Sequence, residues 1–260
     1  MTFAAGLAAA GMKPCFAVYS TFFQRCADQF LHDVALQKLP VTVCLDRAGI
    51  TGEDGATHHG MYDLPFLLPI PGIKIYAPAA ESELKRALQN AFAETEIPSV
   101  IRYPKGCAHE KVAENFPLTG EIEKKDYETD EKSGIIVVCF GRMTAPCLEA
   151  AERFFAKGKS ISVVRFAMLK GFDEGALELF RDARGILFVE EGMKIGGFSQ
   201  YLAGLLQEKN LAPGAAVRIL APNETFIPHG SASELLTDCG LDVDGIVKEL
   251  EQLETGSISI

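Results

Sequence analysis

Val41-Thr42-Val43-Cys44-Leu45 runs directly into Asp46-Arg47-Ala48-Gly49, and Asp54-Gly55-Ala56-Thr57-His58-His59-Gly60 follows shortly after. The apolar run reads as a buried strand. An arginine, aspartates and two histidines leave its end in a glycine-punctuated loop. In an open α/β sheet, ligands bind in the crevice beyond the carboxyl ends of the strands. A guanidinium suits phosphate or carboxylate there, and a histidine moves protons near neutral pH. A solvent loop carries such residues singly and seldom concentrates them.

Outward from that loop, strands and helices alternate. Cys15 to Tyr19 reads as a short buried strand and Phe22 to Gln37 as a helix. Ile73 to Ala77 reads as a strand, Ser82 to Glu94 as an amphipathic helix and Ser99 to Arg102 as a strand. Residues 108–134 differ, because Glu121 to Lys132 is charged and poor in core residues, which predicts a solvated hairpin or linker. A second alternating unit follows. Its strands are Ile135 to Phe140, Ile161 to Arg165, Gly185 to Glu190 and Val217 to Leu220. Its helices are Ala145 to Lys157, Glu174 to Arg181, Gly196 to Lys209 and the closing helices carried by Ala232 to Leu253. Ser257 to Ile260 reads as a frayed tail. The expected fold is α/β, with two domains of mostly parallel sheet covered by helices on both faces. The domains are 1–107 and 135–260, joined by a linker at 108–134.

The chain has 260 residues, 48% hydrophobic and 23% charged, enough to bury sizeable cores. A net charge of −10 argues against nucleic acid or an anionic membrane as the main partner. The seven cysteines are scattered without Cys-x-x-Cys spacing, which favours a reducing, cytoplasmic setting over a disulfide framework. Thr2 to Tyr19 lacks a basic leader, and Gly11-Met12-Lys13-Pro14 interrupts it too early for a membrane span. Thr2 to Ala10 predicts a small-residue helix without a capping residue, so the chain is expected to begin inside a longer domain.

Three further segments fall on the same sheet edge. Tyr19-Ser20-Thr21-Phe22-Phe23-Gln24-Arg25 offers a phenol, an aromatic face and a cation where the first strand meets its helix. Phe22 and Phe23 suit the core as well as a ligand. Arg102-Tyr103-Pro104-Lys105-Gly106 ends the last strand of the first unit, and Arg47 with Arg102 would form an anion clamp. The alternative is an internal salt bridge, for instance with Asp46 or Asp63. Glu190-Glu191 before Gly196-Gly197 reads as interface or cap structure, since the carboxylates would repel an anion. His229 reads as a loop brace. No Gly-x-Gly-x-x-Gly, phosphate-loop or Gly-x-Ser-x-Gly motif occurs, which argues against a nucleotide enzyme or a serine hydrolase.

The order of these motifs resembles the 1-deoxy-D-xylulose-5-phosphate synthase family. Carrying the resemblance are Tyr-Ser-Thr-Phe-x-Gln-Arg, Asp-Arg-Ala-Gly, Asp-Gly-x-Thr-His-x-Gly, Arg-Tyr-Pro-x-Gly, Glu-Glu with Gly-Gly, and Phe-Ile-Pro-x-Gly. It covers Met1 to about Leu253 and corresponds to the pyrimidine-binding and C-terminal domains of a transketolase-like enzyme. It implies a thiamine diphosphate- and magnesium-dependent transferase that condenses pyruvate with glyceraldehyde 3-phosphate and releases carbon dioxide. The product would feed isoprenoid, thiamine and pyridoxal synthesis. Carried over by position, Phe22 would face the cofactor's aminopyrimidine and His58 would assist proton transfer. Asp54 would bond the acceptor's hydroxyls, and Tyr19, Arg47 and Arg102 would hold its phosphate. His59 receives no role. Gly171-Phe172-Asp173 departs from the expected Pro-Leu-Asp away from the site.

The family's N-terminal domain, with its Gly-Asp-Gly…Asn motif for magnesium and diphosphate, is not in this sequence, nor is the glutamate that activates the aminopyrimidine. The chain alone is therefore expected to be inactive and to need that domain in cis or in trans, within a homodimer. The competing readings are a subunit of a split transketolase-like or 2-oxoacid dehydrogenase enzyme, and a non-catalytic partner module.

Overall fold

A computed structural model describes residues 1–129, 134–222 and 224–255. The helices are α1 (Thr2–Ala9), α2 (Ser20–Phe23), α3 (Ala27–Gln29), α4 (Asp63–Leu67), α5 (Glu81–Ala93), α6 (Glu110–Asn115), α7 (Thr144–Ala156), α8 (Phe198–Glu208), α9 (Ala232–Asp238) and α10 (Val243–Thr255). The strands are β1 (Cys15–Tyr19), β2 (Thr42–Asp46), β3 (Lys74–Tyr76), β4 (Ser99–Arg102), β5 (Ile122–Tyr127), β6 (Ile135–Phe140), β7 (Ile161–Phe166), β8 (Met168–Lys170), β9 (Gly185–Val189) and β10 (Ala216–Leu220).

These strands form two five-stranded sheets, ordered β1-β2-β4-β3-β8 and β10-β9-β6-β7-β5. Within each, four strands run parallel and one edge strand, β8 or β5, is antiparallel. Helices surround both sheets, as expected for an α/β fold. The central strands Ile-Ile-Val-Val-Cys-Phe, Gly-Ile-Leu-Phe-Val and Ser-Val-Ile-Arg are buried along their whole length. Strands covered on both faces read as continuous apolar runs for this reason. Helix α9 begins with a capping box, in which the Ser231 side chain accepts from the Glu234 amide and Glu234 answers the Ser231 amide.

Three local expectations are corrected. Ile122–Tyr127, expected to be a solvated hairpin or linker, is an edge strand paired with β7. Lys124 is exposed, as suits an edge strand, Lys125 is half-buried and donates to Asn115, and the one deeply placed carboxylate, Glu123, is neutralised by Arg165. The remainder of that charged run, 130–132, lies outside the described residues, as does the tail at 257–260. Cys15–Tyr19, expected to be buried, is instead the opposite edge of the first sheet, with Cys15 and Ala17 exposed. The helix expected over 22–37 is broken into α2, a 3-10 turn, α3 and a π-helical turn over Phe30–Ala35. The break falls at Cys26, whose backbone leaves helical geometry (φ −129°, ψ 16°).

The two units share one apolar core. Leu64, Leu67 and Ile75 of the first belong to the same buried cluster as Phe140, Phe166 and Phe198 of the second. Strand β8 comes from the second unit yet completes the first sheet against β3. An ion triad locks the seam: Arg165, 1% exposed, donates to Glu83 of α5 and to Glu123 of β5. A second cluster lies under α7 and α10.

Candidate active site

Strands β1, β2 and β4 are parallel and in register, with Tyr19 beside Asp46 and Leu45 beside Arg102. Their carboxyl ends therefore open on one rim. The glycine loop leaves β2 there and turns back on itself, Gly49 and Gly60 exchanging both backbone hydrogen bonds at 2.8 Å. Gly60 is obligatory for this closure, because a Cβ there would collide with the Arg47 carbonyl and come within 2.6 Å of Ser20. Arg47 takes a left-handed backbone (φ 59°), an unfavourable conformation for a side-chain-bearing residue. The Asp46 carboxylate accepts from the Arg47 amide at 2.7 Å.

On the rim, Tyr19, Phe22 and His58 form an aromatic wall. Tyr19 and Phe22 stack at 6.0 Å, and the His58 ring meets Phe22 edge-on at 5.3 Å. The Arg47 guanidinium lies 4.2 Å over the Tyr19 ring and pairs with Asp54. Lys105 Nζ reaches Asp54 at 3.5 Å and Glu53 at 3.4 Å. His58 Nδ1 is bonded to the Thr57 hydroxyl at 2.9 Å, so Nε2 is the nitrogen presented to the site. The backbone carbonyl of Thr57 is held in turn by the Thr21 hydroxyl at 3.1 Å.

Of the six residues expected at this site, five meet: Tyr19, Phe22, Arg47, Asp54 and His58. Arg102 sits one layer deeper. It is 3% exposed, its Nε donates to Asp63 at 2.8 Å, and the Phe140 ring lies 5.3 Å from its guanidinium. The clamp expected of Arg47 with Arg102 is thus not preassembled, and the internal salt bridge weighed against it is present. Lys105 was not singled out from the sequence. The Pro104 turn that carries it back towards Asp54 was the available signal.

The second unit grips this loop from behind. Arg142, just after β6, donates to the Ile50 carbonyl at 2.7 Å and pairs with Glu191, whose carboxylate also accepts from the Ile50 amide at 3.2 Å. His59 is buried. Its Nδ1 accepts from the Thr51 amide at 3.0 Å, which leaves the ring proton on Nε2 to donate to the Pro228 carbonyl at 3.1 Å. His229 packs on Gly55, with its Cβ 3.2 Å from where a side chain would start. Glu190, the residue before Glu191, is wholly buried at the start of α8, where it accepts from the Phe198 and Ser199 amides at 3.2 Å. Burial pushes its carboxyl up to about 7, against the pull of Ser199, Arg102 and the Phe198 amide.

The aromatic wall suits a planar heteroaromatic ring, and the two rim cations suit a small anion. Among the described residues, no group of three or more His, Cys, Asp or Glu side chains could hold a metal ion. No helix among them is long and apolar enough to cross a membrane.

The family model for the transketolase pyrimidine-binding domain matches residues 1–109, and that for the transketolase C-terminal domain matches 125–246. This chain belongs to the transketolase family. Within it, the chain is 41% identical over 97% of its length to the 1-deoxy-D-xylulose-5-phosphate synthase of Nitratidesulfovibrio vulgaris, and 42% identical to that of Lawsonia intracellularis. It spans about 40% of the length of those curated relatives. Among solved structures, a split-gene transketolase described as an inactive beta4 tetramer superposes with a TM-score of 0.77 at 25% identity, covering 97% of this chain and 80% of that one. A transketolase variant from Pichia stipitis gives 0.76 at 22% identity, covering 97% of this chain and 36% of that one.

Proposed function

We propose that this chain is the pyrimidine-binding and C-terminal portion of a thiamine diphosphate-dependent 1-deoxy-D-xylulose-5-phosphate synthase. The reaction would join pyruvate to glyceraldehyde 3-phosphate with loss of carbon dioxide, once a diphosphate- and magnesium-binding domain is supplied in cis or in trans. The observation that carries this reading is the aromatic wall of Tyr19, Phe22 and His58 beside the Arg47–Asp54–Lys105 cluster. The relatives' shared name supports it.

Thiamine diphosphate, when bound, supplies the carbanion and the electron sink. Phe22 would pack on its aminopyrimidine ring. His58 Nε2 would exchange a proton with the oxygen at the reacting carbon, its ring steered by the Thr57 hydroxyl on Nδ1. Asp54 would bond the acceptor's hydroxyls. Arg47 and Lys105, both on the open rim, would take the acceptor's phosphate, with Tyr19 beneath Arg47. Arg102 keeps the floor rigid through Asp63. The diphosphate and its magnesium would be held by that other domain. The related split-gene transketolase chain, inactive in its own assembly, favours supply in trans as a second reading and accords with a self-associating chain.

The test is to assay the chain alone and mixed with a separately produced N-terminal domain of a synthase relative. Product should form only in the mixture, and His58→Ala should lower its kcat by roughly a hundredfold or more. Arg47→Ala or Lys105→Ala should act mainly through the KM for the phosphorylated aldehyde. Turnover by the chain alone at enzyme-like rates would overturn the proposal.

A further inference from the structure

The loop that presents Asp54 and His58 belongs to the first unit by sequence, but its two stems are seated in the second. Ile50 and Met61, 1% and 2% exposed, pack in the apolar cluster under α7 and α10, with Cys139 of β6 and Leu187 of β9. Apolar packing fixes how deep the stems sit. It does not orient the backbone there, and the buried N–H and C=O of Ile50 need partners. Arg142 and Glu191 supply both. One terminal nitrogen of Arg142 donates to the Ile50 carbonyl at 2.7 Å and pairs with the Glu191 carboxylate, which accepts from the Ile50 amide at 3.2 Å. The Glu191 carboxyl group lies where a Cβ of residue 49 would stand, so this close approach is open only to Gly49. At the other stem, the Met193 amide donates to the Met61 carbonyl at 3.1 Å.

We propose that Arg142 and Glu191 are positioning residues: by fixing the backbone at Ile50 they set where Asp54 and His58 stand on the rim. The catalytic half of this inference rests on the proposed function. The holding of the loop does not.

The path is short. Ile50 adjoins Gly49, Gly49 exchanges both backbone hydrogen bonds with Gly60, and His58 lies two residues before Gly60. The hydrogen bonds of Arg142 and Glu191 go to each other and to Ile50, so they act through the loop rather than on a substrate. Charge assistance makes these bonds shorter and stronger than neutral ones, which suits a fixed point. Glu191 is 3% exposed, so loss of the arginine leaves a buried carboxylate uncompensated and the stem free to move away from it. The second unit thereby has a part in the reaction without lending a group to the rim.

The test compares the parent chain with Arg142→Met, Arg142→Lys and Glu191→Gln. Hydrogen exchange follows the peptide over 47–62 against peptides of β4 and β9, and the ring proton resonances of His58 are followed against those of His32. In Arg142→Met the loop peptide should exchange at least about tenfold faster while β4 and β9 keep their protection. The His58 resonances should move and those of His32 should not. Arg142→Lys, whose ammonium can replace the one nitrogen in use, should restore most of the protection. Glu191→Gln keeps an acceptor for the Ile50 amide without the charge and should fall between the two; it carries the comparison if Arg142→Met does not fold. In the mixture with the N-terminal domain, Arg142→Met or Glu191→Gln should lower kcat by roughly tenfold to a hundredfold, with KM within about twofold.

A loop peptide and His58 resonances like the parent's in these variants would overturn the holding role. So would faster exchange spread equally over β4 and β9, which would mark the pair as a general stabiliser. A loosened loop with the parent's kcat would overturn the catalytic half alone. A mixture inactive even with the parent chain would remove that half together with the proposed function, and exchange and resonances would still decide the loop.

Discussion

Asp63 and Arg102 are buried together, and neither can be removed without stranding the other. Asp63→Ala should destabilise the chain by about 3–5 kcal/mol, read as a lower urea midpoint. Arg47→Ala, which breaks the solvent-exposed pair with Asp54, should cost less than about 1 kcal/mol by the same measurement. Equal losses from the two changes would contradict the burial contrast. The same contrast marks the limit of legibility at this scale. Tyr19, Phe22, Arg47, Asp54 and His58 could be placed on one rim because each leaves the end of a strand or opens its loop. Whether Arg102 faces the rim or the floor depends on Asp63, 39 positions away in sequence, and only the packed structure chooses between them. His59, adjacent to His58 and identical in type, differs only because Thr51 and Pro228 close around it.

At the scale of elements, the glycine loop is the most constrained segment, since its closure depends on the absence of a side chain at Gly60. Gly60→Ala should therefore cost about 1–3 kcal/mol, from a Cβ forced between the Arg47 carbonyl and Ser20. It should also blunt any activity that depends on His58. A variant as stable as the parent by thermal unfolding would show that the loop can relax. The strands with continuous apolar runs were legible from the sequence because burial on both faces leaves no other pattern. The edge strands were not. β5 is charged because it is an edge, and β1 is apolar although it is one, so hydrophobicity misleads in opposite directions at the two margins. The broken helix after β1 was hidden for a similar reason, since its residues keep helical spacing while the backbone shifts turn type within it.

Across the whole molecule, the charged seams between the sheets make stability depend on pH. The buried Glu190 carboxyl holds its proton up to about 7, whereas in the unfolded chain it loses it near 4.5. Between those values the folded state binds more protons, so stability falls as pH rises through that window. The cost is at most about 3 kcal/mol once the group must ionise in place. Glu190→Gln keeps an acceptor for the Phe198 and Ser199 amides but carries no charge. Its stability relative to the parent should therefore climb between pH 5 and about 8, and parallel denaturation curves across that range would refute the assignment.

The crossing strand β8 bears on how such a chain comes to be folded during synthesis. When residue 134 has been made, β3 still has an open edge and the cluster around Leu64 and Ile75 lacks Phe166 and Phe198. The first sheet can gain its last strand only once Met168–Lys170 has left the ribosome. The two family domains therefore share a sheet and a core, and a cut between them would leave apolar surface exposed on both pieces.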